Sequence, residues 1–227
     1  MANGTSGSGS GHRGRLPRLS QEAIVDAART ILEQEGVGHL SMRRLAKDLD
    51  STPMALYHHV RNKDELLLLL LDERARKFTR LALPDDPHDR LLTAAQALHD
   101  VLATCPWIVE VLASDDLMAV SAMWIVEDIV DAAINCGMSP EDAMYAYRVI
   151  WYYTAGQLLI NFTRDRRRAQ AGDATYRERT FASLDAEEFP RLVALAERWP
   201  ELDTRDTHRK GLEDIVTGLI AGNAPAG

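Results

Sequence analysis

Cysteine is nearly absent. The two thiols, Cys105 and Cys136, cannot build a disulfide framework, and no CxxC pair or Cys/His cluster offers a zinc ion its ligands. Glycine (14) and proline (9) are too few for a fibrous repeat, and a hydrophobic share of 46% is too high for a disordered chain. Long apolar runs are missing as well. The longest aliphatic stretch, Leu66 to Leu71, is about a third of the ~20 residues a membrane-spanning helix needs. No hydrophobic N-terminal segment resembles a secretion signal, so the expectation is a cytoplasmic protein with reduced thiols and no membrane partner. Three common enzyme motifs, G-x-S-x-G, H-E-x-x-H and G-x-x-x-x-G-K-[ST], do not occur, and no nucleophile stands beside a base. An enzyme is therefore not expected, and no catalytic residue is assigned.

What is present is an uneven charge. The chain sums to −8, yet residues 1–80 hold 13 Lys+Arg against 10 Asp+Glu, while residues 81–227 hold 13 against 24. A slightly basic front on a strongly acidic body warns against choosing partners from the total, which alone would exclude nucleic acid.

Apolar residues recur at helical spacing in nearly every segment, and no period-two alternation lies between hairpin turns, so the expected fold is all-α. Residues 1–14 are Gly/Ser-rich and are expected to be disordered. Ser20 predicts the N-cap of a first helix that Gly36 and Gly38 end. Ser41 caps a short second helix to about Asp48, and Thr52-Pro53 opens a third. Asn62, with Glu65 three residues on, starts a fourth helix reaching about Leu81. Pro84, Asp85, Asp86 and Pro87 make a linker at the point where the charge changes sign. Beyond it the spacing predicts helices over 87–104, 107–113, 115–136, 140–166, 186–199 and 205–221, with 164–180 as a mobile loop.

Residues 41–60 have the layout of a helix-turn-helix, in which one helix bridges phosphates and the next enters the major groove of DNA. Leu45, Leu49, Leu56 and Val60 form its seam, with small Ala46 at the crossing. Arg43, Arg44, Lys47, Thr52, Met54, Tyr57 and His58 remain to reach phosphates or base edges. Lys63, opening the fourth helix, is placed to grip a phosphate together with backbone N–H groups. Arg13, Arg15 and Arg18 ahead of the first helix read as a solvated terminus; a minor-groove arm is the alternative.

The run from Ser20 to Leu67 resembles the DNA-binding domain of the tetracycline-repressor (TetR) family of bacterial regulators. The residues that carry the resemblance are S-x-x-x-I-V-D-A-A at 20–28, G-x-x-x-L-S-M-R-R-L-A at 36–46 and A-L-Y-H-H-V-R-N-K-D-E-L at 55–66. By that resemblance residues 15–66 form the DNA-binding domain and 67–227 a ligand-binding and dimerisation domain. Arg43 then matches a position that reaches DNA. Pro53, Met54 and Ala55 match the front of the recognition helix, Tyr57, His58 and Lys63 backbone clamps, and Ser41 a phosphate-binding cap. His59 faces DNA in some members; here an inward-packed ring is an equal alternative.

In the body, G-M-S-x-x-D-A at 137–143 and H-x-x-G-L-E-x-I at 208–215 resemble the C-terminal domain of the tetracycline-repressor subclass. The resemblance implies a homodimer joined through 140–166 and 205–221, reading a palindromic operator in double-stranded DNA. It also implies a small-molecule effector that releases the repressor by swinging the fourth helix. Candidate effector contacts are the aromatics Phe78, Trp107, Trp124, Tyr147 and Trp151, with His99, Gln157 and Asn161 as polar partners. Where tetracycline-binding members hold a magnesium chelate, a hand alignment finds Phe78, Val111 and Ile160. Apolar side chains cannot serve a hard cation, so no metal or other cofactor is expected and the effector should be hydrophobic or aromatic. The acids Asp115, Asp116, Glu127, Asp128 and Asp131 read as a solvated face. The alternative function is a dimeric DNA-binding regulator without an effector.

Overall fold

A computed structural model describes residues 19–114, 117–170, 176–204 and 206–223, and among these there is no strand. The Gly/Ser-rich tract 1–14 and the arginines Arg13, Arg15 and Arg18 lie outside them. That tract contains one G-x-G-x-x-G string, at residues 9–14, but no β-branched run precedes it, as a dinucleotide fingerprint requires.

The head is built from α1 (Gln21–Gln34), α2 (Met42–Asp48), α3 (Pro53–Tyr57) and the start of α4 (Lys63–Ala75). Each begins at a side-chain cap: the oxygens of Ser20, Ser41, Thr52 and Asn62 accept from the backbone N–H three residues on, at 2.8–3.2 Å. Glu65 reaches back from α4 to the N–H of Arg61, completing a box-like cap. The apolar stripe of α1, Ile24, Ala28, Ile31 and Leu32, is buried with Leu45, Ala46, Leu56, Val60, Leu66 and Leu67. Gly36 turns the chain out of α1 at φ +89°, a conformation that glycine adopts at no steric cost.

Asp50, in the turn between α2 and α3, has φ +45° and is the one described non-glycine residue on that side of the backbone map. Asp and Asn tolerate this region, whereas a β-branched side chain does not. Asp50→Val is expected to cost about 1–2 kcal/mol in urea unfolding. Asp50→Asn should change stability by less than ~0.5 kcal/mol while removing the exposed carboxylate from the turn. Equal losses in the two variants would contradict this account of the turn.

The body comprises α5 (Pro87–Ala103), α6 (Pro106–Ser114), α7 (Met123–Asn135), α8 (Pro140–Gln170), α9 (Tyr176–Ala182), α10 (Pro190–Val193), α11 (Trp199–Thr204) and α12 (His208–Gly222). Helix α5 packs on α7 and α12, and α8 on α6, α7 and α12. The chain turns through 105° between α5 and α6, and no single described helix is long and apolar enough to cross a membrane.

Several boundaries differ from the sequence expectation. Helix α4 stops at Ala75, not near Leu81. Short-range bonds from the N–H groups of Lys77 and Phe78 to Arg74 and Ala75 tighten its end, and Arg80 is held away by Asp128. Residues 164–170 are not loop but the last two turns of α8. Arginine is a good helix former, and nothing between 164 and 170 breaks the helix. The stretch 176–182, also read as loop, is α9. The helix expected from 115 begins only at Met123, after a 3₁₀ turn at Val120–Ala122. The helix expected over 186–199 is broken into α10, a 3₁₀ turn and α11, with Pro190 opening α10 and Pro200 inside α11.

Candidate DNA-binding face and ligand cavity

One side of the head is polar and open. Met54 is 68% exposed and Tyr57 45% exposed, although both neighbour the fully buried Leu56. Arg43, Lys47, Thr52, Pro53, His58 and His59 are exposed with them, and Ala55 and Lys63 are half-buried. Both histidine rings therefore face out, which removes the inward-packed alternative for His59. Arg43, Lys47 and Lys63 form no ion pair among the described residues, so their charges are available to a polyanion. Arg44 is different: its Nε donates to Asp48 at 2.7 Å and its Nη2 to Glu35 at 2.9 Å. Those carboxylates, Asp48 foremost, raise the guanidinium's pKa. The hydroxyls of Ser41 and Thr52 accept backbone N–H bonds as caps, which leaves each hydroxyl proton to donate elsewhere.

The body encloses a cavity of about 400 Å³. Phe78, Trp124, Tyr147 and Trp151 meet in its wall with aliphatic residues of α4, α5 and α6 and the segment from Leu117 to Val126. Burial pushes the Tyr147 phenol up, so it stays a neutral donor. The other four expected contacts stand elsewhere. Trp107 is 4% exposed and packs by Cys105 under α1 and α4. His99 stacks on His208 with ring centroids 3.6 Å apart, outside the cavity. Gln157 and Asn161 lie on α8 away from its lining. Of the residues aligned with a magnesium site, Phe78 lines the cavity, Val111 is buried in the core and Ile160 is exposed. The acids resolve individually. Asp128 is buried against Arg80, Asp131 pairs with Arg90 at 3.1 Å and Glu127 is exposed. Asp115 and Asp116 lie outside the described residues.

Sequence reasoning missed the polar group that the cavity does have. Arg148 lines it beside Tyr152, to whose hydroxyl it donates at 2.7 Å. An i, i+4 Arg/Tyr pair on a helix reads as surface until the wall around it is known. The fourth helix, expected to connect the head with the pocket, does reach it: Leu71 and Ala75 of α4 line the cavity, and Asp72 between them accepts from Ser121 at 2.5 Å. Lys63 begins the same 13-residue helix, about 20 Å long at 1.5 Å per residue.

A family model described as "Tetracyclin repressor-like, C-terminal domain" matches residues 82–222, and one described as "Bacterial regulatory proteins, tetR family" matches residues 24–70. The chain belongs to the TetR family. This places it among helix-turn-helix regulators rather than enzymes. The TetR-family chain is 33% identical to the transcriptional repressor DrrR1 of Streptomyces coeruleorubidus over 147 residues, 63% of this chain and 54% of that protein. It thus spans about half of DrrR1. Its fold is similar to that of Streptomyces coelicolor ActR in complex with actinorhodin, with a TM-score of 0.71 and 28% identity over 93% of this chain and 100% of that one. It is also similar to BioQ solved with its double-stranded DNA operator, with a TM-score of 0.61 and 27% identity over 90% of this chain and 99% of that one.

Proposed function

We propose that this TetR-family chain is a cytoplasmic, ligand-responsive repressor that binds a palindromic operator as a homodimer and is released by a hydrophobic or aromatic small molecule. Residues 15–66 would be its DNA-binding domain and 67–227 its effector and dimer domain. The observation that carries the reading is the aromatic cavity reaching α4, the helix whose first residue is Lys63.

The assignment of DNA contacts to Ser41, Arg43, Thr52, Pro53, Met54, Ala55, Tyr57, His58, His59 and Lys63 is supported by their shared open face. Dimerisation is supported by α8, where Tyr145 and Ile160 are exposed on a helix packed on α12. Two-fold pairing also supplies the half-site spacing of about 34 Å that paired recognition helices need. Among the described residues the lining offers no carboxylate or imidazole, which supports an effector bound without magnesium. Ligand binding would favour a state in which α4 tilts and the heads separate. A hundredfold loss of operator affinity requires ~2.7 kcal/mol of differential binding.

The test is a thermal-shift screen of aromatic compounds followed by operator-release measurements on wild type and Ala122→Trp, which fills the cavity. A compound at a hundred times its Kd adds ~2.7 kcal/mol of stability. Compounds that stabilise wild type should release its operator and should do neither to Ala122→Trp, which still binds DNA. A wide library without a stabilising compound would favour the regulator without an effector.

A further inference from the structure

We propose that the effector is a planar aromatic acid, its ring system inside the cavity and its anionic group held at the rim by Arg148. This rests on the ligand-responsive reading above and adds the ligand's charge. Among the described lining residues Arg148 alone carries a charge; the rest are aliphatic or aromatic, with the Tyr147 and Tyr152 hydroxyls.

The guanidinium is unneutralised. It has no carboxylate partner among the described residues, only the Tyr152 hydroxyl at 2.7 Å and the Tyr152 ring, whose centroid lies 5.6 Å from the guanidinium carbon. That bond uses one of five N–H donors and orients the group, leaving the others for a bidentate carboxylate. Arg148 is exposed while Trp151, three residues further along α8, is half-buried, so charge sits at the opening and apolar surface inside. An ionised group deep in the cavity would lose its hydration without a partner, whereas at the rim it keeps water and gains Arg148. The same positive rim disfavours a cationic ligand.

The experiment uses the full-length protein and three probes with one ring system: anthracene bearing a carboxylate, a hydroxymethyl or an aminomethyl group on its central ring. Binding is read by energy transfer from tryptophan and by calorimetry. In wild type the carboxylate should bind about tenfold tighter than the alcohol, as a charge-assisted hydrogen bond at a solvated rim provides, and the ammonium weakest. Added salt should erode the carboxylate's advantage and leave the alcohol unchanged. Arg148→Met should abolish the preference without weakening the alcohol, and Arg148→Lys should restore most of it. A carboxylate no tighter than the alcohol, a preference that survives Arg148→Met, or an ammonium that binds best would overturn the proposal. In those cases alcohol binding that Ala122→Trp removes would leave the cavity reading standing. If no probe binds wild type, the cavity reading falls and this proposal falls with it.

Discussion

Lys63→Ala is expected to weaken operator binding about thirtyfold to a hundredfold and to flatten its salt dependence by about two units of log–log slope, one for each head of the proposed dimer. Lys63 is half-buried at the first position of α4, has no ion-pair partner among the described residues and stands where free N–H groups also point outward. A phosphate placed there would meet the ammonium and the N-terminus of α4 together. Tyr57→Ala should reduce affinity comparably with little change of slope, because a phenol releases no counterion. Met54, 68% exposed at the front of α3, should alter which sequences are preferred rather than overall grip. Arg44→Ala should cost less than Arg43→Ala, since Arg44 is already engaged by Asp48 and Glu35. Anisotropy titrations of duplexes selected from random sequence, over about 50–200 mM salt, measure all of these. Full affinity in both Lys63→Ala and Tyr57→Ala would remove the open face of the head from consideration as the DNA contact.

The head was more legible than the body because its information is local. Caps three residues ahead of the N–H groups that donate to them, a proline opening α3 and Gly36 closing α1 specify short helices that require little tertiary context. The cavity is a relation between distant segments. Phe78, Trp124 and Trp151 meet there, whereas Trp107, equally aromatic and helical, packs under α1 and α4 instead. Side-chain type cannot separate these two fates, since aromatic burial serves a core and a ligand equally well. Polar partners were misplaced for the same reason. His99, Gln157 and Asn161 looked like directional groups, but the guanidinium and hydroxyl groups on the lining belong to Arg148, Tyr147 and Tyr152. Helix ends failed where composition misleads. The arginine-rich end of α8 has the polarity of a loop and the propensity of a helix, and propensity prevailed. The change of charge sign lies near the start of the second matched family model, which begins at residue 82, after the first has ended at residue 70; the linker around Pro84 falls just inside that second match.

Acidification from about pH 7 to 4.5 is expected to cost roughly 2 kcal/mol of stability through His208 alone. His208 opens α12 at 2% exposure, and neither ring nitrogen has a hydrogen-bond partner. Its ring is stacked between His99 of α5 and Tyr153 of α8, whose hydroxyl donates to the carbonyls of Thr207 and His208 at 3.3 Å. Burial first, and the neighbouring His99 second, push its pKa down from 6.5 to about 4, against the opposing pull of Asp206 and Asp100. The unfolded chain therefore takes up this proton near pH 6.5, while the folded chain refuses it until about pH 4. Stability is complete above 6.5 and is lost as the pH falls between those values, a gap of about 2.5 units at 1.36 kcal/mol each. Protonation would place a cation against His99 in a site without an acceptor, at the junction of α5, α8 and α12. Urea unfolding at several pH values should show the loss in wild type, and His208→Leu should lack this component while keeping the background from surface carboxylates. His99→Leu removes the like charge and should raise the His208 pKa, shrinking the loss without abolishing it. Identical pH profiles for wild type and His208→Leu would show that His208 is not the group being titrated. Because such a loss is a sizeable part of the ~5–15 kcal/mol that holds a domain folded, α12 should be released before the head, whose core contains no buried histidine among the described residues.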